Sequence, residues 1–255
     1  MKLTKDNYFS QEAMKEYFSV SQFKAFQKCE AAALAELNGE YRRETTTSLL
    51  VGSYVDAYYE GDLTGFIGQH PEILKRDGTL RSEYIKADDI IRRTQKDRLF
   101  SMYMNGEPQV IMTGELFGYP WKVKIDSYIE DTAIVDLKVM KDFEPVHIPG
   151  EGRIPWIYAW GYDIQGAVYQ AIVEQNTGKK LPFIIAGATK EKVSDIGLFR
   201  LPQSRLDVAM KVVESFVDRF ADIKAGLIEP TRCEKCDYCK ETKVIEDVID
   251  YDEEA

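Results

Sequence analysis

The sequence lacks several features that would place it in other classes of protein. It has only two histidines, His70 and His147, and no apolar run near the roughly 18 residues of a membrane-spanning helix. Its first segment, MKLTKDNYFSQEAMKEYF, has neither an apolar signal core nor a cleavage site. We therefore expect a cytoplasmic protein with no membrane partner. Its 255 residues, 44 % of them hydrophobic, are enough to build a substantial core.

Basic residues are fewer than acidic ones. This argues against a nucleic-acid partner, because phosphate binding depends on Lys and Arg. The net charge is -10, from 33 basic and 43 acidic residues. The last ten residues, 246–255, hold six acids and no base, which leaves -4 on residues 1–245. Carboxylates that bind a divalent metal do not repel DNA as free carboxylates do. The charge is therefore weak evidence against DNA. We expect one domain over 1–245 and a disordered acidic tail over 246–255.

Cysteine is equally scarce, but its placement is informative. Three of the four cysteines, Cys233, Cys236 and Cys239, form a C-x2-C-x2-C motif, and Cys29 is the only other one. Without a secretory signal, metal ligands or free thiols are more common than disulfides. The motif spacing lets three thiolates converge on one metal, and Cys29 could complete four. Four thiolates suit Zn²⁺. The bacterial ferredoxin motif, which binds iron–sulfur clusters, begins with the same spacing, so zinc and iron–sulfur both stay open.

Residues 116–140 predict a β-hairpin that collects polar side chains on one face. Apolar residues alternate with polar ones up to Asp126, the triplet EDT predicts a turn, and AIVDLKVM predicts the second strand. If the hairpin is centred on Asp131, position 126 faces position 136. Asp136 and Lys138 are two residues apart and project from the same face of the second strand.

These hairpin residues are of the types that phosphodiester hydrolysis requires. Facing carboxylates at Asp126 and Asp136, with the Leu137 carbonyl, could hold Mg²⁺ or Mn²⁺. Lys138 could position or deprotonate a water, or stabilise the transition state. A solvated sheet face is the ordinary alternative. However, Asp136 follows the apolar run 133–135, where an unpaired carboxylate is costly, and facing carboxylates require a positive charge between them.

Hydrophobic spacing predicts the remaining elements. We expect helices over about 19–38, 48–60, 82–104 and 158–175, a long helix with its apolar face between Leu206 and Ile223, strands over 183–189 and 196–201, and a long loop over 141–156. Cys29 lies on the first of these helices and Asp56 on the second. The helix over 82–104 carries Arg92, Arg93, Lys96 and Arg98, which could contact DNA, although such a cluster is typical of a solvated face.

Four segments follow one another along the chain: GSYVDAYYEG, VKIDSYIED, AIVDLK and YDIQGAVYQ. This series resembles the ordered motifs of the RecB-type PD-(D/E)xK nucleases. In that family the site is built from a His or Asp on a helix, an Asp on one strand, an Asp/Glu-x-Lys on the next, and a helix with Gln and Tyr. The resemblance implies an α/β (α+β) restriction-endonuclease-like core, in which helices flank a central mixed sheet.

The resemblance also implies roles for individual residues. It assigns the metal to Asp56, Asp126 and Asp136, catalysis to Lys138, and support of the site or contact with DNA to Gln165 and Tyr169. Many relatives carry His where this chain has Asp56, but a carboxylate also suits a hard metal. Without the resemblance, Asp56 would be interpreted as an exposed helix residue and Tyr169 as core packing. Glu115, before the predicted hairpin, is a further candidate carboxylate.

The lone Cys29 in an N-terminal helix, combined with three cysteines near the C-terminus, is similar to the iron–sulfur subset of these nucleases. The resemblance therefore implies a [4Fe-4S] cluster that joins the two chain ends around the core, with Zn²⁺ as the alternative. Either group would be structural.

The segments RCEKCDYCKETK and QKCEAAALAEL resemble phage or prophage exonucleases of the exonuclease VIII (RecE) type. This implies a Mg²⁺- or Mn²⁺-dependent exonuclease that degrades linear double-stranded DNA during recombination, alongside a single-strand annealing protein. A homo-oligomer would be compatible with that role. Two alternatives stay open: a CRISPR-adaptation type nuclease that trims DNA ends, and a catalytically inactive DNA-binding or scaffold protein with a four-cysteine metal site.

Overall fold

The structure is a computed structural model that describes residues 1–245 and 247–248. The tail expected over 246–255 lies outside the described residues, apart from these two positions. The helices are α1 (Gln11–Glu16), α2 (Val20–Lys28), α3 (Glu30–Asn38), α4 (Thr47–Glu60), α5 (Leu63–Gln69), α6 (Ser82–Gln95), α7 (Arg98–Tyr103), α8 (Trp156–Ala159), α9 (Tyr162–Thr177), α10 (Gln203–Lys224) and α11 (Asp237–Glu241), with a short 3-10 helix at Pro71–Ile73. The strands are β1 (Glu107–Leu116), β2 (Tyr119–Ile129), β3 (Ala133–Met140), β4 (Val146–Ile148), β5 (Gly152–Ile154), β6 (Phe183–Thr189) and β7 (Ile196–Arg200).

A five-stranded mixed sheet in the order β1-β2-β3-β6-β7 forms the centre of the fold. Strands β3 and β6 are parallel, and the other neighbours are antiparallel. The β3–β6 connection contains α8 and α9, as a parallel pair requires a crossover. The expected central mixed sheet is therefore confirmed.

Both faces of the sheet are covered by apolar helix faces. On one face, α2, α9 and α10 contribute Phe23, Ile172 and Phe220 to a core around Trp121. On the other face, α4 and α6 pack their apolar residues against the sheet. Odd-numbered residues of β3, such as Val135, point into this second core. Helices flank the sheet as the predicted fold class requires, and residues 133–137 of β3 are buried.

The hairpin of β2 and β3 has the predicted register. Ser127 pairs with Val135, and Ile129 pairs with Ala133. In each pair the two residues are equally far from Asp131 along the sequence. Asp131 adopts a left-handed backbone conformation, with φ of 57°, which the tight turn requires.

Three of the predicted helices are interrupted, and in the one predicted over 158–175 the break is at 160–161, between α8 and α9. The helix predicted over 19–38 is broken at Cys29, whose backbone is extended with φ -165° and ψ 109°. The prediction that Cys29 lies within a helix is therefore wrong. The helix predicted over 82–104 ends at Gln95 and restarts after Asp97, whose carboxylate caps α7 by accepting from the Phe100 amide.

Two further differences concern strands. β1 was not predicted, because its polar and apolar residues do not alternate regularly and its burial is mixed. The long loop predicted over 141–156 contains the small antiparallel sheet of β4 and β5. Within the part of the chain that the structure describes, no helix is both long enough and apolar enough to cross a membrane.

Candidate active site and cysteine site

Strands β2 and β3 separate at the end of their ladder, and the carboxylate of Asp126 occupies the gap. The last backbone pair is Ser127 with Val135. At the next residue of β2, Asp126 Oδ2 accepts a hydrogen bond of 2.8 Å from the Leu137 amide of β3. A side-chain oxygen thus takes the place that a backbone carbonyl of β2 would have in a continued ladder. From β1, Gln109 Nε2 lies 3.4 Å from Asp126 Oδ1. Asp126 is thus held by both neighbouring strands.

Asp136 is 2 % exposed and is contacted from both sides. Gln165 of α9 donates a 2.6 Å hydrogen bond to its Oδ1 atom. Lys138 Nζ lies 2.5 Å from Oδ2 and donates to the Leu137 carbonyl at 3.2 Å. Among the described residues, the Lys138 ammonium is the one partner of Asp136 Oδ2. Because a carboxylate oxygen has two lone pairs, this buried atom can still bind a metal ion.

The electrostatics of the site indicate an excess of negative charge. Burial, and then the charge of Asp126, raises the pKa of Asp56 well above its usual value. Burial and the charge of Asp136 raise the pKa of Asp126 to about 7. Burial lowers the pKa of Lys138, but Asp136 and Asp126 outweigh it and raise that pKa above its ordinary range. Three carboxylates therefore surround the Lys138 ammonium, a charge balance that a divalent cation would improve.

The donor set fits Mg²⁺ or Mn²⁺, which prefer oxygen ligands and retain several waters. Asp126, Asp136 and the Leu137 carbonyl offer oxygens at the end of the β2–β3 ladder, and Asp56 approaches from α4. Asp56 lies close enough for its charge to interact with those of Asp126, Lys138 and Asp136. Water ligands, which Mg²⁺ usually retains, would complete the coordination.

The structure also brings Gln165 and Tyr169 to this place. They lie one turn apart on the face of α9 that contacts the sheet. Tyr169 donates a 3.0 Å hydrogen bond to the Lys124 carbonyl, two residues before Asp126. Its ring packs edge-on against Phe183, so Tyr169 is both a core residue and a support of β2.

Two of the residues considered from the sequence lie elsewhere. Glu115 is exposed, pairs with Pro120, and lies six positions along β2 from the site, about 20 Å away at strand spacing. Arg92 forms an ion pair with Asp89 of its own helix.

Two residues beside Lys138, Tyr162 and Lys24, were not among the predicted site residues. The ring centre of Tyr162 lies 5.3 Å from Lys138 Nζ and 5.1 Å from Lys24 Nζ. Lys24 also donates to the Trp160 carbonyl at 3.0 Å. Burial and the charge of Lys138 lower the pKa of Lys24 to about 8. Tyr162 could have been predicted, because it lies three residues before Gln165 on the same helix. Lys24 is far from the other site residues in the sequence, and no motif indicates that it belongs to the site.

The four cysteines come together although Cys29 is 210 residues from Cys239. Their sulfur atoms all lie within 4.8 Å of one another, with Cys29 and Cys239 buried and the other two partly exposed. The distances from Cys239 Sγ are 3.6 Å to Cys29 and 3.9 Å to Cys233. Sulfurs around a single tetrahedral zinc with bonds of about 2.3 Å are about 3.8 Å apart. A four-iron cluster binds each thiolate to a different iron and holds the sulfurs further apart.

Polar contacts outside the sulfur group join the same two parts of the chain. Arg219 of α10 donates two hydrogen bonds of 2.7 Å to the Glu30 carboxylate at the start of α3. The same carboxylate accepts from the Thr231 amide at 2.7 Å. Bidentate pairs of this kind are the stronger class of ion pair. The cysteine segment is therefore attached to α3 and α10 independently of any metal.

Comparisons with known proteins agree with this geometry. Residues 19–242 match a family described as a PDDEXK-like domain of unknown function (DUF3799). The crystal structure of a putative exonuclease from Eubacterium rectale is similar, with 48 % sequence identity, a TM-score of 0.95, and coverage of 98 % of this chain and 97 % of that chain. A second structure, of a protein called SSO0001, has 13 % identity and a TM-score of 0.31, covers 78 % of this chain and 86 % of its own, and supports no inference. No curated protein matches the chain.

Proposed function

The chain belongs to the PDDEXK-like family DUF3799, and from this premise we propose that it is an exonuclease that uses Mg²⁺ or Mn²⁺ to hydrolyse the phosphodiester bonds of linear DNA. The observation that carries the proposal is Asp136, a buried carboxylate held between Gln165 and Lys138. The E. rectale relative supports the exonuclease activity by its description.

The proposed ligands are Asp126, Asp136, the Leu137 carbonyl and Asp56. When bound, the ion would neutralise charge on the phosphate and lower the pKa of the attacking water. Gln165 fixes the orientation of the Asp136 carboxylate, and the Leu137 amide fixes that of Asp126. Because these contacts exist before substrate arrives, the site needs little reorganisation during the reaction.

Lys138 supplies the positive side chain of the site. Its ammonium is ion-paired with Asp136 and donates to the Leu137 carbonyl, so it is a donor held next to the proposed ligands. In this position it can orient a water molecule by hydrogen bonding and stabilise the charge that develops on the phosphate in the transition state.

For the cysteine site we propose a structural metal centre held by Cys29, Cys233, Cys236 and Cys239. The resemblance to iron–sulfur nucleases favours [4Fe-4S]. The sulfur spacing favours a single tetrahedral ion such as Zn²⁺, since a four-iron cluster would require the partly exposed Cys233 and Cys236 to move outward.

The biological setting is proposed from the resemblance to exonuclease VIII type enzymes. The protein would degrade linear duplex DNA from its ends during phage or prophage recombination. It would act as a homo-oligomer, and a single-strand annealing protein would bind the exposed strand.

Digestion of matched linear and closed circular duplexes tests the proposal. Purified protein with Mg²⁺ or Mn²⁺ is expected to degrade the linear DNA and to leave the circular DNA intact, with no hydrolysis in EDTA. Cutting of the circular DNA would replace the exonuclease assignment with an endonuclease. Absence of hydrolysis under all conditions would overturn the nuclease proposal.

A further inference from the structure

Gln109 of β1 has three unusual properties for a residue within a strand. Its backbone is in the left-handed region, with φ of 58°, which is uncommon for a residue with a side chain and costs energy. It is 5 % exposed. Its Oε1 atom is buried and makes no hydrogen bond among the described residues. Both the left-handed backbone and the unsatisfied buried acceptor cost stability.

The backbone conformation of Gln109 interrupts the pairing of β1 with β2. The ladder passes from Pro108–Ser127 directly to Val110–Ile125, which omits the pair of Gln109 with Asp126. Irregular backbone of this kind often lies beside active sites, where it redirects a side chain. Here the Gln109 amide is directed at the Asp126 carboxylate, with Nε2 lying 3.4 Å from Oδ1.

An Asp126 that binds a metal is a carboxylate, which accepts hydrogen bonds only, so the amide must present its nitrogen to it. This leaves Oε1 as an acceptor without a donor. A water bound to a divalent ion is a strong donor, and the ion proposed above would be held by Asp126. Such a water would supply the missing donor to Gln109 Oε1, the one buried side-chain acceptor of β1 without a hydrogen-bond partner.

We infer that Gln109 is a positioning residue of the metal site, which orients Asp126 through Nε2 and accepts a hydrogen bond from a water ligand of the ion through Oε1. The inference rests on the proposed function.

The test is Gln109→Met, which keeps the approximate volume of the side chain and removes both polar atoms. If Gln109 acts on the metal, the affinity for Mn²⁺, measured by calorimetry, should fall about 10- to 100-fold, the usual effect of losing a partner of a metal ligand. The melting temperature in EDTA should change little, because the substitution removes the buried acceptor without a donor together with the long 3.4 Å contact to Asp126.

Gln175→Met is the matched control. Gln175 makes two backbone hydrogen bonds to Glu115, of 3.0 and 2.8 Å, far from the aspartates. The same substitution there should lower the melting temperature and leave Mn²⁺ affinity unchanged.

If Gln109→Met lowers the melting temperature and retains Mn²⁺ affinity while the wild type hydrolyses DNA, Gln109 is structural and only this inference fails. If the wild type neither binds Mn²⁺ nor hydrolyses DNA, the proposed function fails and the inference fails with it.

Discussion

At the scale of single residues, the contact between Asp136 and Lys138 determines the character of the proposed site. Two carboxylates at the end of the β2–β3 ladder would repel each other without a positive charge nearby. Lys138 provides one such charge at 2.5 Å from Asp136 Oδ2. A bound divalent ion would provide the remaining positive charge. Lys138 and the ion would together neutralise the carboxylates.

Replacement of Lys138 tests this residue directly. Lys138→Ala removes the only ammonium in contact with Asp136 among the described residues, and hydrolysis of linear DNA should slow roughly 100- to 10,000-fold. Initial rates at saturating Mg²⁺ measure the effect. Lys141→Ala, three residues away and 93 % exposed, is the control and should keep the wild-type rate. Equal rates for Lys138→Ala and the wild type would contradict the catalytic role.

At the scale of elements, the last turn of α10 is attached to the N-terminal segment by a partly buried lysine. Lys224 Nζ donates to the carbonyls of Met14 and Tyr17, both at 3.2 Å, and to the Gln22 side chain at 2.9 Å. It also lies 3.9 Å from the ring centre of Phe18. Burial and the charge of Lys122 lower the pKa of Lys224 from 10.5 to about 7.

This shift predicts a pH dependence of stability. Because the folded pKa is lower than the unfolded one, the unfolded chain binds more protons between about pH 7 and pH 10, and stability should rise with pH in that window. Lys24 and Lys122, whose pKa values burial lowers to about 8, act in the same direction. Melting temperatures from pH 7 to about 9.5 measure the rise.

Lys224→Met should reduce the slope of that rise, whereas Lys211→Met, at an exposed position of the same helix, should leave it unchanged. Identical slopes for the wild type and Lys224→Met would show that Lys224 titrates normally.

Local sequence patterns predicted the strands and helices that carry the candidate site. They did not predict features that depend on contacts between residues far apart in the sequence. Alternation and the EDT turn predicted the β2–β3 hairpin with its centre at Asp131, because register follows from local spacing. The break at Cys29 was missed, since the helical spacing of apolar residues continues through it and the extended conformation brings the sulfur to Cys239. Gln109 and Lys24 reach the site from β1 and α2 through tertiary packing, for which one sequence holds no signal.

At the scale of the whole molecule, two segments that are far apart in the sequence meet at the cysteine site. Cys29, between α2 and α3, lies against the C-terminal motif, and the Glu30 to Arg219 contact lies beside it. An ion held by all four thiolates would bind the folded protein only, and would therefore stabilise it by its binding free energy.

Cys239→Ser tests the metal centre. The purified wild type is expected to contain metal in fixed proportion to protein, and Cys239→Ser should lose it and melt at a lower temperature. Elemental analysis measures the content, and absorbance near 400 nm distinguishes iron–sulfur from colourless zinc. Lys240→Gln, at an exposed neighbouring position, should retain the metal. Metal-free wild-type protein purified without oxygen or chelator would overturn the centre.

The separation of Cys29 from Cys239 by 210 residues has a consequence for biosynthesis. While the ribosome extends the chain, Cys29 is exposed early and has no other thiol of the site with which to form a chelate. A metal centre held by all four thiolates could mature only after the last motif cysteine has emerged, because a polypeptide that stops before residue 233 lacks three of the four ligands. Metal content would thus report how much of the population has been translated and folded through to the cysteine motif.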